Sequence, residues 1–311
     1  MSAFGGPVGY GSTHVAFERL GDRVGYVPGG VNVGVVQGDS GAAIMIDAGI
    51  NETNGKKVLK SIREELGVDV QAIVTTHGHA DHFGANAAIV KRTGAKVYAP
   101  EIDELFLRYP FMQPAMLFGG ADPAEPLRTP FLLAHASPVD VVYGNGPLEI
   151  DGVTLDVIDL AGHSPGQKGI LVDGVFFCAD VVLPATVLEK YRIPYLYSVT
   201  DHLSAFERAA SVEHTIAVPG HGPTRANVSE AIAENRAPIV RVTDVIADYL
   251  SAPRSTEEVI GEVFSRFDAP ITDAAGYYLL QPTITAFLSH LEREKLAVNE
   301  IDSRRSMWRR T

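Results

Sequence analysis

The sequence predicts an α/β fold, a sandwich of sheets and helices followed by a smaller, mainly helical region. Strand-like and helical patterns alternate from residue 31 to residue 98. Four turns with histidine or aspartate each follow a short apolar strand pattern, at the strand ends where α/β proteins place their chemistry. After residue 224 the pattern becomes helical, which predicts a catalytic domain over 1–224 and a second domain over 225–311.

The first half of the chain contains the clearest alternation. Strands are predicted over 31–36, 42–47 and 73–75, and helices over 54–66 and 83–93. The polar turn 38–41 joins the first two strands, and Gly67 is expected to end the first helix. The strand over 73–75 therefore leads through a tight loop into the second helix.

That loop is dense in metal-binding side chains. It reads Thr76-His77-Gly78-His79-Ala80-Asp81-His82. Further candidates are His163, Asp180 and His221, which follow predicted strands over 153–160, 175–178 and 216–218. Imidazole nitrogen and carboxylate oxygen are ligands that zinc and similar divalent ions prefer. Seven such groups are too many for one tetrahedral ion but suit two ions that share a bridging ligand.

These motifs resemble those of the metallo-β-lactamase-fold hydrolases over about residues 20–225. The similarity rests on the T-H-x-H-x-D-H motif from Thr76, the G-H-S-P-G turn at 162–166, Asp180, and the P-G-H-G turn at 219–222. It implies an αββα sandwich with two divalent ions, most often zinc, with iron or manganese in some relatives. It further implies one metal on His77, His79 and His163, a second on Asp81, His82 and His221, Asp180 as the bridge, and Asp47 beside them.

By this resemblance the chain would be a metal-dependent hydrolase. A hydroxide held between two metal ions would attack a small ester, thioester or lactone. Asp180 would orient the bridge and Asp81 would relay the proton, which makes both of them candidate catalytic residues. The alternatives are a single-strand endoribonuclease of the LACTB2-like type and a glyoxalase-II-like thioesterase. Leu183 stands where an acyl-homoserine lactonase would carry a tyrosine, which argues against that lactone specificity.

An insert over 101–140 breaks the alternation with proline, aromatic residues and methionine. It is either a helical insertion packed on the core or an apolar lid beside the metals. Candidate substrate contacts are Phe118 and His135 within it and Tyr191, Tyr195 and Tyr197 after the bridging aspartate. A tyrosine hydroxyl there would donate to an oxyanion. The helix over 201–212 is expected to begin with Asp201 as its N-cap.

The C-terminal region reads as helices followed by a hairpin. Helices are predicted over 228–250, 255–267 and 271–295, the last divided by Gly276 and Pro282, and short strands over 296–298 and 306–308. The motif from Ser255 to Glu258 is a capping box. This order resembles the winged-helix-like module of the LACTB2-like branch of the superfamily.

Charge and composition favour a small-molecule substrate over nucleic acid. The formal net charge is −12, and residues 225–311 contain 11 basic and 13 acidic side chains with no basic stripe. We therefore expect the C-terminal module to pack against the catalytic domain and wall its cleft, or to form a homodimer.

The remaining composition indicates a globular, cytoplasmic protein. Hydrophobic residues make up 46% of the 311, and no apolar run approaches the roughly 20 residues that span a bilayer. Residues 1–13 lack the features of a secretory signal. The single cysteine, Cys178, is typical of a reducing compartment.

Overall fold

The computed structural model of the protein describes residues 16–311. The segment 1–13, for which no secretory signal is expected, lies outside the described residues. Two sheets face each other, and helices cover both of their outer faces. The predicted α/β fold with four layers, αββα, is confirmed.

The first sheet contains seven strands in chain order. They are β1 (Glu18–Arg19), β2 (Val24–Val27), β3 (Val33–Gln37), β4 (Ala43–Ile46), β5 (Val70–Val74), β6 (Lys96–Pro100) and β7 (Val141–Tyr143). Strands β1 to β4 are antiparallel, and β4 to β7 are parallel. The ends of β4 and β5 therefore meet at one edge, and there Asp47 and the His77 loop begin.

Three helices follow the early strands of this sheet: α1 (Glu52–Leu66), α2 (Ala80–Phe83) and α3 (Asn86–Thr93). As predicted, α1 ends at Gly67, which adopts a left-handed conformation with φ of 69°. The prediction of a single helix over 83–93 is wrong at its start, because the helical conformation is interrupted between α2 and α3 around Gly84. A Cβ at Gly84 would lie 2.1 Å from the Ile50 carbonyl oxygen, so the chain packs there too closely for any side chain.

The insert is helical. It forms α4 (Glu104–Arg108), α5 (Met112–Leu117) and a short 3₁₀ helix (Glu125–Leu127). Leu117, Leu127 and Leu132 are its buried centre, and they pack with Tyr278 and Leu279 of the C-terminal region. The insert is thus packed on the body of the protein.

The second sheet has five strands in the spatial order β12-β11-β10-β9-β8. They are β8 (Gly146–Ile150), β9 (Val153–Asp159), β10 (Lys168–Val172), β11 (Val175–Ala179) and β12 (Ile216–Pro219). Alternate side chains of both sheets form the central core, among them Val36, Ile44, Leu155, Ile170 and Phe177. The parallel strands β11 and β12 of this second sheet end beside each other, which brings Asp180 and His221 together.

Two helices follow β11: α6 (Ala185–Tyr191) and α7 (Val199–Ala210). The predicted N-cap of α7 is wrong. Ser198 is the cap, and its side chain accepts a hydrogen bond from the backbone N–H of Asp201. Asp201 therefore lies in the first turn, where its negative charge still favours the helix N-terminus.

The C-terminal region contains α8 (Val228–Tyr249), β13 (Arg254–Ser255), α9 (Thr256–Arg266), α10 (Ala274–Arg293), β14 (Ala297–Asp302) and β15 (Arg305–Arg310). The predicted capping box is present at Ser255 and Glu258. The predicted division of the last helix is wrong, since α10 runs unbroken through Pro282. A proline inside a helix costs about 3 kcal/mol. The buried face of α10 offsets that cost, because each buried apolar side chain contributes about 1.5–3 kcal/mol.

One core crosses the predicted domain boundary at residue 224. Phe176 and Phe206 belong to the same cluster as Ile239, Val259 and Phe287. The helices after residue 224 therefore cover the outer face of the second sheet. Among residues 16–311, every helix is either too short or too polar to cross a membrane.

Candidate metal centre

Seven donor side chains converge at the edge where strands of both sheets end. Their nitrogen and oxygen atoms form three overlapping groups: His77 with His79 and His163, His77 with His82 and Asp180, and Asp81 with His82 and His221. Within each group the donor atoms lie within 4.8 Å of one another. The structure thus brings together all seven residues that the sequence singled out as metal ligands.

The spacing within the first group suits a divalent cation. His79 Nδ1 lies 3.1 Å from His77 Nε2 and 3.0 Å from His163 Nε2. Donor atoms bonded to a tetrahedral zinc at about 2.0–2.1 Å are roughly 3.3 Å apart. The three nitrogens therefore already have nearly the separation that one ion requires.

Asp180 lies between the two ends of the cluster. Its Oδ2 is 3.5 Å from His163 Nε2 and 3.3 Å from His221 Nε2, and its Oδ1 is 3.5 Å from His82 Nε2. At the far end, His221 Nε2 is 3.4 Å from Asp81 Oδ2. One carboxylate thus faces both groups of histidines, as a bridging ligand must.

Four histidines are oriented through their other ring nitrogen. The Nδ1 atom of each faces a hydrogen-bond partner: Thr76 Oγ1 for His77, Asp47 for His82, the Tyr195 carbonyl for His163, and the Gly30 carbonyl for His221. With the proton on Nδ1, each Nε2 presents a lone pair to the centre of the cluster. The sequence predicted Asp47 in this supporting role but neither carbonyl.

Asp47 organises the start of the histidine loop. Its Oδ2 is 2.8 Å from His82 Nδ1 and accepts a hydrogen bond from the Thr76 hydroxyl at 2.8 Å. Its Oδ1 accepts from the Thr76 backbone N–H at 2.8 Å. All three residues are buried, so the carboxylate fixes both the loop backbone and the ring of His82.

Burial and charge set the protonation states. Burial lowers the pKa of His79 to about 4 and that of His163 to about 3, so both rings are neutral at pH 7. Burial also disfavours charge on His82, but Asp180 and Asp47 raise its pKa to about 10. Although burial opposes ionisation of Asp180, His221 and His82 hold the pKa of its carboxyl well below the usual range. The metal-free cluster thus combines neutral imidazoles at His79 and His163 with a protonated His82 and an ionised Asp180.

Two buried atoms within the cluster lack a hydrogen-bond partner: His82 Nε2 and Asp180 Oδ1. Leaving such polar atoms unpaired in the interior costs free energy of about 1–3 kcal/mol each. A cation between them would satisfy both. The donor set, the spacing and these two atoms together fit a divalent metal.

Sequence reasoning missed Asp103, which is fully buried in the insert. Its Oδ2 accepts hydrogen bonds from the Gly78 N–H at 2.9 Å and from the Ser164 hydroxyl, and its Oδ1 accepts from the Gly166 N–H at 2.7 Å. It therefore ties the loop of His77 and His79 to the loop of His163. The sequence signal was only an aspartate in an irregular segment.

Asn32 was missed as well. Its side-chain amide donates to the carbonyls of Pro219 at 2.9 Å and Gly222 at 2.8 Å, on either side of His221. Gln167 holds the remaining turn, since its Oε1 accepts a hydrogen bond from the Asp180 N–H. Each ligand-bearing loop therefore has its own buried polar support.

The predicted substrate contacts separate into two groups. The Tyr195 ring lies against His79 and His163, with centroids 5.5 and 5.6 Å apart. Tyr195 packs against the buried Leu117, Leu127 and Leu132, as do Phe118, Phe131, Tyr278 and Leu279, and these five side chains form an apolar wall that reaches the cluster at Tyr195. Burial raises the pKa of Tyr195 to about 12, so its hydroxyl remains protonated at pH 7.

The other three candidates are Tyr191, Tyr197 and His135. Tyr191 ends α6, with the Lys190 ammonium 4.8 Å from its ring centroid. Tyr197 is about half exposed, at 49%. His135 lines a depression of about 230 Å³ near the starts of α1 and α3. His135 is not among the donor groups formed within residues 16–311, and the Tyr197 backbone N–H donates to the carbonyl of Gly162, next to His163, at 2.9 Å.

The four-layer fold and this donor cluster fit a protein that binds divalent metal ions. Residues 26–221 match the model of the Metallo-beta-lactamase superfamily, and the chain belongs to that family. Relatives by sequence include a hydroxyacylglutathione hydrolase from Erythrobacter litoralis, 33% identical over 46% of this chain and 45% of that protein. Another is the probable metallo-hydrolase YqgX of Bacillus subtilis, 27% identical over 54% of this chain and 76% of that one. The chain thus spans less than half the length of the first of these relatives.

Solved structures show the same fold over nearly the whole chain. A beta-lactamase domain protein from Burkholderia ambifaria superposes with a TM-score of 0.74 and 18% identity, covering 97% of this chain and 96% of that one. A metallo-beta-lactamase family protein from Thermus thermophilus gives 0.68 and 21%, covering 93% and 98%. The shared architecture therefore includes the helices that follow residue 224.

Proposed function

We propose that the chain is a binuclear metal-dependent hydrolase of a small ester, thioester or lactone. The observation that carries this proposal is the place of Asp180, whose Oδ2 lies within 3.5 Å of both His163 and His221. His77, His79 and His163 would hold one ion, Asp81, His82 and His221 the other, and Asp180 would serve both. Such a pair of ions, most often zinc, polarises a carbonyl oxygen and lowers the pKa of water towards neutrality.

The protein's own side chains have distinct parts in this chemistry. Asp180 is 4% exposed and fixed on three sides by His82, His163 and His221, so it orients the attacking group. Asp81 is 20% exposed, so its carboxylate would accept a proton from the attacking water and release it to solvent. The Tyr195 hydroxyl, kept protonated by burial, is the donor we assign to the developing oxyanion.

The apolar wall supports a substrate with an acyl or aromatic portion. Phe118 and Phe131 from the insert pack against the same buried leucines as Tyr195 and the α10 residues Tyr278 and Leu279. Pockets for small molecules combine such walls with a few polar groups. Among the three substrate classes a thioester has support from relatives, since the Erythrobacter protein and one from Haemophilus influenzae are both named hydroxyacylglutathione hydrolases.

An endoribonuclease of the LACTB2-like type is the second candidate. We also propose that α9, α10 and the β14–β15 hairpin are winged-helix-like and form the domain over 225–311 that this branch would carry. Charge argues against RNA as substrate. Three arginines of the hairpin are paired with carboxylates: Arg305 with Glu258, Arg309 with Glu300, and Arg310 with Asp248.

A panel of substrates tests the proposal. The zinc-loaded protein is offered an aromatic ester, an acyl thioester, a lactone and single-stranded RNA, with His79→Ala as the matched control. We expect turnover of one of the first three, abolished in the variant. Cleavage of RNA alone, or turnover that persists in a metal-free His79→Ala protein, would contradict the assignment.

A further inference from the structure

Two C-terminal helices reach the backbone that surrounds the metal centre. Thr283 of α10 is fully buried, and its Oγ1 accepts a hydrogen bond from the Leu196 N–H at 3.0 Å and donates to the Leu196 carbonyl at 3.3 Å. Asn235 of α8 does the same for Leu183, with an N–H to Oδ1 distance of 2.8 Å and an Nδ2 to carbonyl distance of 3.0 Å. Each side chain thus satisfies both backbone groups of one residue.

The two clamped residues lie at the ends of one segment. Leu183 is three residues after Asp180, and Leu196 directly follows Tyr195. Neither residue belongs to a helix or strand, so the hydrogen bonds of regular secondary structure do not satisfy the backbone groups of Leu183 and Leu196. Their positions therefore depend on the side chains of α8 and α10.

The segment in turn touches a candidate ligand. The Tyr195 carbonyl accepts the hydrogen bond from His163 Nδ1 at 3.1 Å, which directs His163 Nε2 at the cluster. The Tyr195 ring also lies against His79 and His163. A shift of the peptide between Tyr195 and Leu196 would therefore turn the His163 ring.

We propose that Thr283 is a positioning residue of the metal centre, acting through Leu196 and the Tyr195 carbonyl on His163, with Asn235 as its counterpart on the Asp180 side. This inference rests on the proposed metal-binding function. In this role the helices after residue 224 fix the ligand geometry of a site that is formed by the residues before them. Loss of a hydrogen bond made directly to a ligand typically weakens metal binding 10- to 100-fold, and because Thr283 acts one residue away from such a bond we expect the lower value, about tenfold.

Three variants of the full chain test it. Thr283→Val keeps the shape and removes both hydrogen bonds, while Thr283→Ser restores a hydroxyl. Thr285→Val is the matched control, because the Thr285 hydroxyl bonds only to Pro282 of the same helix, at 2.7 Å. Each protein is loaded with zinc and titrated with a chromogenic chelator.

We expect Thr283→Val to release one zinc equivalent at least about tenfold more readily than wild type. Thr283→Ser and Thr285→Val should retain both equivalents. Equal retention by Thr283→Val, or an equal loss in Thr285→Val, would overturn the inference. A wild-type chain that holds no zinc contradicts the proposed function instead, so the two failures are distinguishable.

A measurement on wild type covers the case in which Thr283→Val does not fold. Zinc should slow hydrogen exchange at the Leu196 amide about tenfold, because the ion fixes His163 and, through it, the Tyr195–Leu196 peptide. The Val97 amide, which donates to Asp140 Oδ2 at 2.8 Å, is the control and should change little. Equal slowing at both amides, or none at Leu196, would contradict the positioning role.

Discussion

Asp103 accepts a hydrogen bond from the hydroxyl of Ser164, with Oδ2 and Oγ 2.5 Å apart. Because Ser164 directly follows His163, and the same carboxylate oxygen accepts from Gly78 between His77 and His79, one buried side chain sets the distance between two ligand loops. The insert is therefore joined to the candidate metal centre at its beginning, through Asp103.

Replacement of Asp103 should weaken metal binding specifically, by more than a general loss of stability in the insert would. In Asp103→Asn, one of the two accepting oxygens becomes an NH2 group that can only donate, so at least one of the three buried donors is left unpaired, at a cost of about 1–3 kcal/mol. We expect roughly 10- to 100-fold weaker zinc affinity by chelator competition. Asp140→Asn, which loses a carboxylate bond to the Val97 N–H at the other end of the insert, is the control. The same loss in both variants would contradict a specific role for Asp103.

Asp47 should control the protonation state of His82, one of the candidate ligands of the second metal ion. Asp47→Asn keeps the size of the side chain but removes the charge that faces His82 Nδ1 at 2.8 Å. The pKa of His82, raised to about 10 partly by that charge, should fall in the metal-free protein. NMR titration of the ring measures this directly. An unchanged titration would show that Asp47 does not set the state of His82.

The buried His202 makes the metal-free protein sensitive to acid. Burial lowers its pKa from 6.5 to about 3, and its Nδ1 has no hydrogen-bond partner. Between these pH values the unfolded chain binds a proton that the folded protein does not. The free energy of unfolding therefore falls as pH falls, by at most about 1.4 kcal/mol per pH unit from this residue.

His202→Gln isolates that contribution, because glutamine does not titrate and the other groups are shared by both proteins. Urea unfolding at several pH values from 6.5 to 4 should show wild type losing stability more steeply than the variant. Parallel curves would mean that His202 takes up its proton equally well in the folded state.

The clustering of the seven donor side chains could be predicted from sequence because their spacing is local or tied to strand ends. Four of them lie within six residues, from His77 to His82, and three follow short apolar strands. Asp103 could not be predicted, because its partners are 25 to 63 residues away and nothing in an irregular segment indicates burial. Thr283 is a further example, since a threonine inside an apolar helix has no distinguishing pattern.

Competition between local sequence signals and tertiary packing explains the errors in the predicted helices. Ser198 and Asp201 both suit an N-cap, and only packing decides that α7 begins at the earlier residue. Pro282 is a helix breaker by propensity, yet α10 passes through it because its apolar face is buried in the core. Tertiary contacts outweighed local preference at both places.

The central claim is that Asp180 joins two metal sites in one centre. Elemental analysis of wild type and Asp180→Asn, both purified without chelator, tests it most directly, together with turnover of the best substrate of the panel. We expect about two divalent ions per wild-type chain, fewer in the variant, and loss of most turnover in the variant. Two ions and full turnover in Asp180→Asn would contradict the account.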